Sequence, residues 1–501
     1  MTAFDYLLAG YRTCSALEAS TTATVPSAAT ALIVAVTSGG KVPAGIVAAT
    51  PAELEALGFT GERGQELALG GSPVVVLVGI GEQSPGEQAG AAEDCLRDAV
   101  ALGSRRVGKH QALAVLFQDT IALTDSMAVA AVEGAVLARY RFDALRAVPA
   151  GTPVESLTLV VGDAAGGPAF EAAVAKGRTR AAATVLARDL ANTPHNHMNA
   201  TVFAQIAETL GAEAGLEVAV WDKADIVREQ LGGVLAINAG SHEEPRVVRL
   251  RYTPAGEPSG NLAMVGKGIM YDSGGIGLKP NNDSHAQMKN DMSGAANILA
   301  AMLTLGNIGG SAEVTGYLMC TDNMPSATAT ALGDIIKIRG GRGVEIIDTD
   351  AEGRIVLADG IMLALEQKPD AIVDMATLTG SVMRALGSEI GGTMGSDQAL
   401  VDRLRAAGEA TGEPLWQLPL AHVYRKHLDS PSADMRNVAP PGIPDGLIAA
   451  LFIHSFTEGV PWGHIDIAGT AWSNSEGGWH AEGCTGFGTR LLSEFAGGFT
   501  K

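Results

Sequence analysis

Short apolar, β-branched runs recur along this chain with helix-length segments between them. In the first third the runs are 31–37 (ALIVAVT), 73–79 (PVVVLVG), 111–117 (QALAVLF) and 157–162 (LTLVVG), with helical stretches at 88–106 and 124–146. Strands alternating with helices predict an α/β domain with a largely parallel sheet. A Gly/Ala-rich stretch near 163–168 breaks the pattern. One Ala- and Arg-rich helix then runs over 168–191, ahead of Asn192-Thr193-Pro194. The alternation resumes with strands at 217–221, 246–252, 261–265, 313–320, 371–376 and 463–467, and helices at 202–214, 293–305, 355–367 and 397–408. The expected division is an N-terminal α/β domain (1–167), a connecting helix (168–191) and a catalytic domain (192–501). At 501 residues a single core is not expected.

Composition narrows the function. The net charge is −20, and Lys plus Arg number 35 against 55 Asp plus Glu. Nucleic-acid binding needs clustered cations, so this balance disfavours it. Charged residues total only 18%, which hints at surface hidden by oligomerisation. Cys14, Cys95, Cys320 and Cys484 form no C-x-x-C pair and read as small apolar residues. No basic, apolar leader opens the chain, and no run approaches 18 apolar residues. The expectation is a reduced, cytoplasmic, soluble protein without a membrane segment.

Weak motifs come first. The glycine-rich turn after 73–79 resembles a dinucleotide fingerprint, but Ser84 stands at its third glycine position. His195 and His197 follow a proline and are expected to have no carboxylate close by, so they read as a loop feature.

The strong signal lies between 265 and 380. A strand runs into VGKGIMYDSGGIGLKP, which holds Lys267, Asp272 and Lys279. MKNDMSGAAN brings Asp291, and DTDAEGRIVLADG brings Asp350, Glu352 and Arg354. Nearly all sit at strand ends or helix starts, where open α/β sheets bind ligands. A lone Asp or Glu near Gly is usually a turn residue. Seven ionisable groups embedded in apolar strands are harder to read that way, because a buried cluster of carboxylates repels itself unless cations join it. Two divalent ions balance four carboxylates. Ions about 3.5–4 Å apart can share a bridging water and make it a nucleophile near neutral pH. Asp350 and Glu352 share one side if the segment is extended. Gly274, Gly275 and Gly353 would let backbone approach the ions.

These motifs resemble the M17 leucyl aminopeptidase family: VGKG (265–268), YDSGGIGLKP (271–280), MKNDMSGAA (288–296), TDAEGR (349–354) and ATLTG (376–380), with ARDLANTP (187–194) and HIDIAGTAW (464–472). The resemblance spans about 187–501. It implies a small N-terminal α/β domain and a larger C-terminal α/β catalytic domain, with a central mixed sheet flanked by helices. It implies two divalent metals, zinc or manganese first, with magnesium and cobalt compatible. Asp272 and Glu352 would bridge them, Lys267 and Asp291 would complete the tighter site, and Asp350 the more exchangeable one. Lys279 would polarise the scissile carbonyl, and Arg354 would hold a bicarbonate acting as general base. Met288, Thr377 and Leu378 match positions that line the first-residue pocket or hold the peptide backbone. The implied activity is release of N-terminal, leucine-like residues from peptides by a metal-bridging hydroxide, in a homohexamer of two trimers.

Departures from the family pattern are Asp348 where Asn is usual, the segment 323–334 (NMPSATATALGD), and a loop between Lys279 and Asp291 that is one residue longer. They motivate a rival reading, a catalytically silent scaffold. A DNA-binding or regulatory factor is a second rival, opposed by the net charge.

Overall fold

A computed structural model describes residues 4–39, 42–43, 45–47, 49–82, 90–117, 123–162 and 167–501. The chain divides into two compact units, each with its own sheet. Unit 1 comprises Met1–Asp189 with the short segments Ala410–Gly412 and Ser473–Gly483, and unit 2 comprises the rest.

Among the described residues, unit 1 holds six strands: β1 (Glu18–Thr22), β2 (Ala31–Thr37), β3 (Glu66–Leu69), β4 (Val74–Gly81), β5 (Ala112–Leu116) and β6 (Ser156–Val160). Their order is β1-β6-β5-β2-β4-β3, parallel throughout except for the β3–β4 pair. Both faces of the sheet are covered, as expected of a parallel sheet. Along β2, Ala31, Ile33 and Ala35 enter one apolar cluster while Leu32, Val34 and Val36 enter another. The two-residue period of a strand produces that split.

Unit 2 is built on an eight-stranded mixed sheet. Its strands are β7 (Glu217–Trp221), β8 (Arg246–Tyr252), β9 (Asn261–Asp272), β10 (Glu313–Asn323), β13 (Ala371–Ala376), β14 (Gly391–Gly395), β15 (Leu415–Gln417) and β17 (Trp462–Asp466). The order is β15-β14-β17-β13-β9-β10-β8-β7. Strands β17, β13, β9 and β10 form a parallel centre, and antiparallel pairs flank it. A small sheet of β11 (Ile335–Lys337), β12 (Gly343–Glu345) and β16 (Met435–Arg436) lies in the same unit. The mixed α/β architecture expected from the sequence is thus observed.

Several elements differ from their sequence expectation. Strand β9 does not stop at 265; it continues to Asp272 and carries Lys267 within it. Gly266 and Gly268 interrupt the apolar run but not the strand, because a helix is pressed against them. A Cβ on Gly266 would lie 2.6 Å from Ala295 Cα. The helix expected over 124–146 ends at Leu137. Arg139 then turns inward and donates to the carbonyls of Gly108 (2.6 Å) and His110 (3.3 Å). Strands β1 and β3 lie at sheet edges with no fully buried residue, so they show no apolar run. Strand β14 (GGTMG) has no apolar run to mark it in sequence, and a Cβ on its Gly395 would lie 2.6 Å from the Trp462 carbonyl oxygen. The first residues of the 88–106 helix, Ser84 and most of 163–168 lie outside the described residues.

Glycine-mediated approach sets the site's geometry. Helix Ser293–Met302 follows Asp291, and a Cβ on its Gly294 would lie 2.1 Å from the Met375 carbonyl oxygen. Gly294→Ala is therefore expected to destabilise the protein by about 1–3 kcal/mol through overpacking. A lowered urea midpoint at unchanged slope checks it.

Candidate metal centre

The parallel strands end on one edge of the sheet, where such folds bind ligands. Asp272 closes β9 opposite Asn323 at the end of β10, and β13 runs into Thr377 and Leu378. Helix Gly353–Leu365 begins at the same edge with Glu352 as its N-cap residue. A helix N-terminus favours negative charge there.

Two lysines bind the carboxylates together. Lys267 Nζ lies 2.7 Å from Glu352 Oε1 and 2.8 Å from Asp291 Oδ2, and donates to the Thr377 carbonyl at 2.9 Å. Lys279 Nζ lies 2.8 Å from Asp272 Oδ2 and 2.5 Å from Asp350 Oδ1. Asp272, Asp350 and Glu352 each offer an oxygen within 4.8 Å of the other two. Six of the seven ionisable residues singled out in sequence thus converge. The seventh, Arg354, follows on the same helix, where its Nη1 donates to the Asn437 carbonyl and its Nη2 to Asp445 Oδ1, both at 2.9 Å.

The electrostatics follow from burial and crowding. Burial and the Glu352 charge push the Asp272 carboxyl above the usual range, against Lys279 and Lys267. Asp291 is raised by burial and by Asp272 and Glu352, against Lys267. Asp350 is pushed up to about 7 by desolvation, Asp272 and Glu352. Glu352 goes the other way: burial opposes its charge, but Lys267 and Lys279 override that and hold it low. Desolvation works against both ammonium groups, and the facing carboxylates outweigh it.

Supporting bonds fix the oxygens. Asn323 Nδ2 donates to Asp272 Oδ1 (2.8 Å) and to the Thr349 carbonyl (2.9 Å). Thr377 Oγ1 donates to Asp291 Oδ1 at 2.7 Å. The Asn437 side chain accepts from Ile347 N–H (2.8 Å) and donates to the Asp348 carbonyl (2.6 Å). Sequence reasoning did not assign these three roles. Asn323 was visible only as the first residue of the altered 323–334 segment.

Three expectations need correction. Asp350 and Glu352 are not on an extended segment; Asp350 lies in a turn and Glu352 has helical backbone angles. Helix entry, not strand alternation, brings them together. Gly353 makes room for Lys267 rather than for an ion, since a Cβ there would meet Lys267 Cδ at 2.7 Å. His195 does have a carboxylate nearby, because its Nδ1 lies 3.6 Å from Asp322 Oδ1. Asp348 is exposed, and its Oδ1 accepts the Asp350 N–H at 2.9 Å. Met288 is half-buried, and its carbonyl accepts from Asp291 N–H at 3.3 Å. Leu378 is half-buried, with its N–H directed to Asp466 Oδ1 at 3.2 Å.

The residues fit divalent cations. Four carboxylates face only two lysines, and the buried Glu352 Oε2 accepts no hydrogen bond among the described residues. An oxygen-rich set of this kind suits divalent ions.

The chain's relatives bear on the same stretch. A model of the cytosol aminopeptidase family's catalytic domain matches residues 185–493, and one of its N-terminal domain matches 35–149. A probable cytosol aminopeptidase of Streptomyces avermitilis is 39% identical, over 96% of this chain and 98% of its own length. One of Chlorobaculum tepidum is 38% identical, over 85% and 86%. The solved structure of the bottromycin maturation enzyme BotP in complex with Mn is similar with a TM-score of 0.84 and 34% identity, over 94% of this chain and 99% of that one. Because the catalytic-domain match covers more than half the chain and contains the whole carboxylate–lysine cluster, this protein belongs to the cytosol aminopeptidase family, peptidase family M17.

Proposed function

We propose that the protein is a dinuclear-metal aminopeptidase that releases N-terminal residues, leucine-like ones by preference, from peptides. The observation that carries this reading is the convergence of Asp272, Asp350 and Glu352, with Lys267 and Asp291 bonded into the same cluster. In it Asp272 and Glu352 would hold both ions, Lys267 and Asp291 would complete the tighter site, and Asp350 would complete the exchangeable one. Two divalent ions, zinc or manganese before magnesium or cobalt, supply a Lewis acid and a water with a pKa near neutrality.

The chain's own groups do the rest. Lys279 is partly exposed whereas Lys267 is buried, so Lys279 is the ammonium available to a substrate carbonyl and its developing oxyanion. The peptide's free, unprotonated α-amine would bind at the ion held by Lys267 and Asp291, which favours cleavage from the end. Met288, Thr377 and Leu378 line the first-residue pocket or hold the peptide backbone. Arg354 keeps a buried positive charge for an anion that takes up a proton.

The same reading carries a hexamer of two trimers in the cytoplasm, with the chain divided at 167 and 192. The exposed Trp416 and Val423 and the low charged fraction support an assembly. Among the described residues, no helix is long and apolar enough to cross a membrane.

The test is hydrolysis of leucine p-nitroanilide by metal-loaded protein. Turnover is expected, with loss on chelation, recovery with Mn²⁺ or Zn²⁺, and no cleavage of the N-acetylated analogue. Turnover indifferent to chelation would overturn the metal reading. Protein with two bound ions and no turnover would favour the silent scaffold.

A further inference from the structure

Arg354 is 2% exposed, and its guanidinium is already engaged. Nη1 is taken by the Asn437 carbonyl and Nη2 by Asp445 Oδ1, while Nε has no hydrogen-bond partner among the described residues. Asp445 is no stray surface contact. It opens helix Asp445–His454, where the helix dipole favours its charge. The next residue anchors the turn: Gly446 N–H donates to Ser381 Oγ at 2.8 Å, and Ser381 Oγ donates to Thr379 Oγ1 at 3.2 Å. Thr379 is in turn tied to Asp466 Oδ2 at 2.7 Å. The Asp445 side chain is 47% exposed, so it faces solvent on one side and Arg354 on the other.

A free bicarbonate on Arg354, as the family resemblance implies, must compete with this carboxylate. The charge balance points the same way. Two divalent ions balance the four cluster carboxylates, and with Lys267 neutral as a metal ligand they leave Lys279 and Arg354 in excess. Asp445 meets the Arg354 charge directly, with a charge-assisted bond of ordinary length.

We propose that Asp445 is the resident anion of Arg354, so that this chain carries in a side chain the carboxylate a free bicarbonate would otherwise provide. The inference rests on the aminopeptidase reading above for its rate consequence, but not for its binding consequence.

The experiment uses the full-length, metal-loaded protein in carbon-dioxide-free buffer, titrated with bicarbonate. For the wild type, the leucine anilide rate is expected to be flat and calorimetry to show no saturable uptake. Asp445→Asn keeps the shape and removes the charge. It is expected to lose about 10- to 100-fold in rate, the usual cost of removing a group that orients a working residue. Bicarbonate should restore that rate saturably, and calorimetry should now detect its binding. Asp445→Ala serves as a second variant, and circular dichroism establishes that each variant is folded. Saturable bicarbonate stimulation of the wild type, with the midpoint seen in Asp445→Asn, would overturn the inference. So would a folded Asp445→Asn that neither binds bicarbonate nor responds to it. Absence of anilide turnover in every protein would instead defeat the aminopeptidase reading, and the calorimetric arm would still decide who occupies Arg354.

Discussion

Glu352→Gln is expected to lower kcat/KM for leucine anilide by about 10³-fold or more, because groups that act as one unit fail together. The substitution keeps the side chain's shape and removes one charge at the crowded centre of the site. Glu352 Oε1 holds Lys267 at 2.7 Å, and its buried Oε2 has no hydrogen-bond partner among the described residues. A glutamine would place an amide nitrogen or a neutral oxygen there, and neither replaces the carboxylate charge of the proposed metal ligand. Metal content should fall below two ions per chain in the same sample, read by elemental analysis after gel filtration. The variant should still fold, since Glu352 makes no side-chain cap bond to its own helix. Glu352 also raises its neighbours Asp272 and Asp350 by like-charge repulsion. Their carboxyls should titrate lower in the metal-free variant. Unchanged kcat/KM with two ions still bound would sink the assignment of Glu352 as a metal ligand.

What the sequence made legible, and what it did not, divides along a physical line. The strands of the parallel centre could be read because burial on both faces demands near-continuous apolar runs, as in β13 (AIVDMA, buried throughout), broken only by Asp374, which is bonded to Trp462 and His464. The cluster from Lys267 to Arg354 could be read because its charges interrupt such runs, where an isolated charge would be costly. Close backbone contact could not be read. Gly266 looks like a strand terminator, yet it is the place where helix Ser293–Met302 meets β9. Long-range partners were equally silent. Asn323 reaches Asp272 across 51 residues, and Asn437 reaches Asp348 across 89. An amide at either position carries no local pattern that marks it. The same holds for Asp445, which looks like a first-turn helix residue until Arg354 is seen beside it 91 positions away. Periodicity and charge crowding are local signals, whereas orientation of a ligand is a property of the folded register.

That distinction matters most for the two lysines, which look alike in sequence and differ in surroundings. Lys279→Met is expected to reduce kcat by about 10²–10³-fold, the range seen when one donor to a developing oxyanion is removed. Methionine matches the length and apolar stem while deleting the charge. Lys279 Nζ is held by Asp272 Oδ2 and Asp350 Oδ1, so its ammonium is fixed in position before a substrate arrives. An ordinary lysine is already charged across neutral pH, and in the metal-free chain those carboxylates raise its pKa further. The loss should therefore be similar at each pH in that range, and KM should change little, because the interaction strengthens only as charge develops on the carbonyl. Metal content should remain near two, since Lys279 is not among the proposed ligands. Lys267→Met is the contrast. Lys267 is buried against Asp291, Glu352 and the Thr377 carbonyl, and its loss should appear as missing metal before it appears as slow chemistry. Aminoethylation of Lys279→Cys should recover part of the lost kcat by restoring an ammonium at nearly the original distance. A Lys279→Met protein that keeps wild-type kcat would remove Lys279 from the chemistry and leave it a counter-ion of Asp272 and Asp350.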